Sequence, residues 1–243
     1  MLLATVGAQD VVFAADTQGY DGDSGGYYKF KYGKLFAVNN GKYLLGVAGH
    51  DIGLTLEESV RDFHFTGGND CEIFQSIRSY SEAMAVFYEQ SGYEEDCYFI
   101  LGGVNRESEP FLFEWHVKGK NWQLSKRVNQ PRIAIGAKYH GALYFSTIHH
   151  EPNLPLPNRV LIAHLSVSEA AKQDPRVADP VEIGIVSKSG ALILSHEQIA
   201  PIVTASREVA AQISATINNE AIKLQATLEL SIHDPLNPPP SQE

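Results

Sequence analysis

The chain has 243 residues, a formal net charge of −10, 44% hydrophobic and 20% charged residues, proportions of a chain that builds a sizeable core and far from the disordered or fibrous extremes. The acidic balance and the lack of clustered Lys and Arg exclude a nucleic-acid footprint, which needs a concentrated basic face. No apolar run approaches the roughly 20 residues needed to cross a bilayer, and the start Met1-Leu2-Leu3-Ala4 has no basic region of the kind that opens a signal peptide.

Residues 2–8 and 11–17 are apolar, β-branched runs around Gln9-Asp10, which predicts a hairpin. The stretch 19–26, with four glycines and two aspartates, reads as a flexible connection. Residues 28–38 and 42–47 predict a second pair of strands around the turn Asn39-Asn40-Gly41. Ile52, Leu56, Val60 and Phe63, then Ile73, Ile77, Met84 and Phe87, recur at helical spacing and predict helices over 51–65 and 71–90. Four strands over 98–104, 110–117, 122–128 and 132–136 predict an antiparallel meander, with Phe111, Phe113 and Trp115 alternating into the core. Helices over 139–149 and 159–173 flank a break marked by Pro152, Pro155 and Pro157. A last hairpin, 182–187 with 191–195, precedes a long helix over 197–227 and a proline-rich tail.

Two antiparallel sheets, each needing one face covered by helices, are most simply satisfied by an α+β, four-layer α-β-β-α sandwich. No linker composition separates the halves, so residues 1–227 read as one domain and 228–243 as a tail. Two cysteines, Cys71 and Cys97, predict free, mostly buried thiols in a reducing cytoplasm.

Of the residues with chemical potential, His149-His150-Glu151 suggests a metal, yet neighbours on a helix project about 100° apart and do not converge on one ion. The pattern predicts a solvated helix end. Asp21 and Asp23 supply too few spaced oxygens for a calcium loop. By type alone, Asp16 is a strand-end aspartate and Lys34 a solvated strand lysine.

One set of segments carries more. Asp10-Val11-Val12-Phe13-Ala14-Ala15-Asp16-Thr17 resembles the second strand of proteasome β-type subunits, which are N-terminal-nucleophile (Ntn) hydrolases. Gly33-Lys34-Leu35-Phe36 with Val47-Ala48-Gly49 resembles their lysine strand and following glycine. Ile100-Leu101-Gly102-Gly103-Val104, Ala134-Ile135-Gly136 and Val181-Glu182-Ile183-Gly184-Ile185-Val186 are similar to the second sheet and last hairpin.

The resemblance implies a site at Met1, Asp16, Lys34 and Asp174, with the backbone N–H of Gly49 as an oxyanion donor. It implies no metal and no cofactor. It also implies departures. Met1 occupies the place of the threonine nucleophile, and Ala137 and Val177 stand where the family carries serines. A thioether cannot be that nucleophile. Thr5, four steps along the first strand at ~3.3 Å each, lies ~13 Å away and cannot replace it. Three readings follow. The first is a proteasome-subunit-like protein without the threonine peptidase mechanism, acting as a structural or binding member of an oligomer, possible partners being copies in a ring or a paralogue. The second is an active threonine-type peptidase or amidase whose mature N-terminus differs, with a peptide substrate. The third is a small-molecule binder in the vacated cleft.

Overall fold

The computed structural model describes residues 1–21, 26–29, 33–49, 69–92, 96–118, 121–124, 131–136, 140–174, 176–177 and 180–233. The helix expected over 51–65, Ala137 and the proline-rich segment beyond residue 233 lie outside them.

The strands are β1 (Leu2–Val6), β2 (Asp10–Asp16), β3 (Gln18–Asp21), β4 (Gly26–Lys29), β5 (Leu35–Val38), β6 (Tyr43–Gly49), β7 (Asp96–Val104), β8 (Pro110–Lys118), β9 (Asn121–Leu124), β10 (Arg132–Ile135), β11 (Val181–Ser187) and β12 (Gly190–Ile193). The helices are α1 (Asp70–Ser91), α2 (His140–His149), α3 (Leu156–Gln173) and α4 (His196–His233). β10-β1-β2-β11-β12 form one antiparallel sheet and β5-β6-β7-β8-β9 another. The expected α-β-β-α sandwich of two antiparallel sheets is what the chain adopts.

Strand alternation sends side chains into separate apolar layers. Leu2, Ala4, Val11, Phe13 and Ala15 meet Leu35, Leu44, Ile100 and Leu112 between the sheets. Leu3, Val12 and Ala14 point the other way, toward Val160, Ala163 and Val167 of α3. On the far side, Ile73, Ile77 and Met84 of α1 cover Phe99, Leu101, Phe113 and Trp115. The sheets approach closely because glycine opposes bulk: a methyl at Gly102 would lie 2.6 Å from the ring of Phe13.

Reciprocal caps fix two helix starts. Asn69 Oδ1 accepts from the Glu72 N–H at 2.9 Å while Glu72 accepts from the Asn69 N–H at 3.2 Å, and Ser195 and Gln198 repeat the device at α4. Asn39 and Asn40, at φ 52° and 55°, make the left-handed turn expected before β6.

The structure corrects four expectations. Gln18–Asp21 and Gly26–Lys29, at the ends of the stretch that predicts a flexible hairpin connection, pair as the two strands β3 and β4. The fourth strand of the meander, β10, crosses to the first sheet and pairs with β1, because its apolar face is needed over α2 and α3. Phe87 is 40% exposed despite its helical spacing. Cys97 is buried as expected, but Cys71 is exposed; neither forms a disulfide. Among the described residues, no helix is long and apolar enough to cross a membrane.

Candidate active site

The antiparallel register of β1 and β2 sets Leu2 opposite Ala15. That brings Met1 beside Asp16, whose N–H donates to the Met1 carbonyl at 3.2 Å. Lys34 arrives from the other sheet, just ahead of β5, where its carbonyl accepts from the Val47 N–H at 3.0 Å. The α-amino group of Met1 donates to Asp16 Oδ1 at 2.9 Å, and the Lys34 ammonium donates to the same oxygen. Three of the residues marked in the sequence therefore converge. All are buried: Met1 is 3% exposed, Asp16 0% and Lys34 7%.

Two cationic groups on one carboxylate oxygen compete for its charge. Burial first, then the Lys34 ammonium, lowers the Met1 α-amino group from 8.0 to about 5, against the opposing pull of Asp16. At neutral pH it is an amine with a free lone pair. The second oxygen of Asp16, also buried, has no hydrogen-bond partner.

Glu182 is a member that the sequence reading quoted but gave no role. It accepts from the Lys34 N–H at 2.8 Å and fixes the segment that delivers the ammonium. Burial pushes its carboxyl up, partly offset by the Lys34 backbone and charge. A side chain at Gly33, at φ 76°, would collide with that carboxyl. Gly136, at φ 97°, serves likewise: a methyl there would lie 3.1 Å from Met1 Cα and 3.5 Å from its nitrogen. Gly33, immediately ahead of Lys34, is the mark that this crowding leaves in the sequence.

The other sequence candidates sit as follows. Gly49 ends β6 opposite Cys97 at φ 137°, a conformation that suits glycine. Asp174 caps α3 and holds Arg176, which donates to its two oxygens from Nε at 3.1 Å and Nη2 at 3.0 Å. Val177, where a serine was expected by resemblance, is 2% exposed and shares an apolar cluster with Met1, Leu3, Ala134 and Val181. The Met1 side chain is thus buried as part of an apolar cluster. A cavity of about 810 Å³ lies elsewhere, among α2, α3 and α4, lined by Leu143, Tyr144, Leu165, Ala170, Ile213 and others. Among the described residues no group of three or more His, Cys, Asp or Glu side chains is placed to hold a metal.

No family model and no curated protein matches the chain. Solved structures do. Anbu (ancestral beta-subunit) from Yersinia bercovieri superposes with a TM-score of 0.67 at 13% identity, covering 89% of this chain and 96% of its own. Anbu from Hyphomicrobium sp. strain MC1 gives 0.65 at 15%, with the same coverage. A Gly-1 mutant of the Hyphomicrobium protein gives 0.65 at 16%. At this identity the likeness establishes a proteasome-like fold alone.

These neighbours correct the resemblance to proteasome β-type subunits. The matching segments lie on β2, β5, β6, β7, β10 and β11, strands whose apolar pattern any protein of this fold requires, so they mark the fold and not that family.

Proposed function

We propose that this protein is a non-hydrolytic member of its fold class, whose Met1–Asp16–Lys34 group is a buried structural charge cluster and whose 1–227 unit acts as a structural or binding component of an assembly. One observation carries the reading. The position that would need a hydroxyl or thiol beside Asp16 and Lys34 holds a thioether, packed with Val177 in hydrocarbon. Chemistry and packing agree there: with neither a nucleophile nor a hydroxyl relay, the amine has nothing to activate.

Support for assembly comes from α4. Ile213, Ile217 and Leu224 are 38%, 62% and 62% exposed along one side of its outer turns, and a second copy supplies the apolar partner such a stripe needs.

The test is direct. Purified full-length protein is incubated with fluorogenic peptides and with a threonine-directed peptide vinyl sulfone, and followed by intact mass and light scattering. Expected are no turnover, no adduct, a mass beginning at Met1 and a multimer that Ile217→Asp with Leu224→Asp dissociates. An adduct mapping to the N-terminal residue overturns the reading.

One observation favours a second reading, a hydrolase of this fold with another mature N-terminus: the neutral amine beside Asp16 is the base such chemistry uses. N-terminal sequencing that finds Thr, Ser or Cys would establish it.

A further inference from the structure

The helix-facing end of the first sheet holds a second buried polar cluster. Thr5 and Arg132 are paired across β1 and β10, two residues from Leu3 and Ala134, which face the helices. Asp10 stands at the start of β2, two residues from Val12 on that same face. Above them, His150 follows the end of α2 and α3 brings Arg159. Arg132 donates to the carbonyls of Ser146 at 3.3 Å and His150 at 3.1 Å. Arg159 donates to the Leu154 carbonyl at 3.0 Å and pairs with Asp10 at 2.5 Å. Gly7 makes room for that guanidinium, which any side chain there would strike.

His150 was expected at a solvated helix end. Instead it is 4% exposed, and among the described residues neither ring nitrogen has a hydrogen-bond partner. The Thr5 hydroxyl is fully buried and equally without one. Buried polar groups are nearly always satisfied, so orphans gathered at one corner need an account. The charges are unbalanced too. Arg132 of β10 reaches the backbone of His150, and among the described residues the carboxylate paired with Arg159 of α3 is Asp10 of β2.

We infer that Thr5, Arg132, His150 and Arg159 form a buried site for a small inorganic anion, taken up together with a proton on His150. The hydroxyl, the imidazole N–H groups and the guanidinium edges are all donors, which suits an acceptor-only ligand. A monovalent anion balances the charge that a proton on His150 adds beside the two guanidiniums. It accepts from one ring N–H of His150 and stabilises the imidazolium that the added proton makes. Without the anion, burial and then the two guanidiniums hold the imidazole down at about 4. The anion reverses that, and by linkage protonation tightens anion binding.

The probe is chloride. Thermal midpoints of the full chain are compared in sodium chloride and sodium gluconate at matched ionic strength, gluconate being too large to enter. Chloride is expected to raise the midpoint, with an apparent Kd at least about threefold tighter at about pH 5.5 than at about pH 7.5. His150→Gln is expected to lose that pH dependence. Should the variant not fold, the wild-type His150 ring resonances serve, and chloride is expected to shift their titration upward. Bromide soaked into crystals is expected to give an anomalous peak within hydrogen-bond reach of the ring. Equal midpoints in the two salts overturn the proposal, as does a His150→Gln protein with an unchanged pH-dependent increment. A bromide peak without any stability effect means an adventitious ion only, and overturns it as well.

Discussion

The α-amino nitrogen of Met1 lies 2.9 Å from Oδ1 of Asp16, the same oxygen that accepts from Lys34, and all three groups are buried at the seam between the sheets. Met1 and Asp16 come from the first sheet, Lys34 from the edge of the second. The carboxylate is therefore the hub of an inter-sheet tie.

Removing the hub is the severe change. Asp16→Asn leaves the Lys34 ammonium buried without its countercharge, and breaking a buried pair in this way costs about 3–5 kcal/mol. Lys34→Met keeps the stem volume and leaves Asp16 with the amine, and should cost less, about 1–2 kcal/mol. The double variant should fall short of the sum, since the two share one interaction. Urea unfolding of the three proteins checks this; additive losses would show that no coupling exists.

The amine gives stability a pH slope. Its value in the folded chain, about 5, lies below the ordinary 8.0, so between these limits the unfolded chain binds the extra proton and the folded chain does not. Stability is full above about pH 8 and declines as the pH falls toward 5. His150, held at about 4 in place of 6.5, adds loss in the same direction from about pH 6.5 downward. In Lys34→Met the amine loses a neighbour that depresses it, so its titration moves up and the lower, acidic part of the slope flattens. Urea midpoints across this range, with NMR titration of a ¹⁵N-labelled Met1, measure both effects.

Gly136, which crowds the cluster, and Gly41, which does not, make a matched pair. Gly136→Ala places a methyl 3.1 Å from Met1 Cα in a backbone conformation at φ 97° that alanine resists. A loss of about 1–3 kcal/mol is expected, together with a displaced amine resonance. Gly41→Ala has comparable backbone strain at φ 75° but open space around it, and should leave that resonance in place. Equal resonance shifts in the two proteins would argue that the crowding at Met1 is unimportant.

Much of this was legible in the sequence because alternation and helical spacing are local. The runs through Phe13, Trp115 and Ile77 fixed their own faces, and the order of hairpins and helices led to four layers. The strand β10 was misplaced because Arg132–Ile135 carries no local mark of which sheet it joins; its pairing with β1 depends on residues about 130 positions distant. His150 misled for the same reason. Helix-end histidines are usually wet, and only the approach of β10 and α3 buries this one. At the site, Asp16 and Lys34 could be marked by resemblance, whereas Glu182 could not, because its partner is the backbone of Lys34, 148 residues away.

The sharpest test of the site is Met1→Thr, expressed behind an initiator methionine that is removed before a small residue. If Met1 were the sole obstacle, the new hydroxyl would stand beside a neutral amine, Asp16 and Lys34 and would attack an electrophile. The surroundings argue otherwise. The side chain at position 1 faces Leu3, Ala134, Val177 and Val181, none of which can accept or relay the hydroxyl proton. The hydroxyl would be buried against hydrocarbon at a cost of about 1–3 kcal/mol, and the shorter side chain would leave space where the thioether packed. The expected result is a protein with a lower urea midpoint that forms no adduct with the vinyl sulfone. Adding Val177→Ser should recover part of the lost stability by giving that hydroxyl a partner. Adduct formation by the single variant at a rate near that of a working threonine hydrolase would show instead that the cradle is intact and that only its occupant is missing.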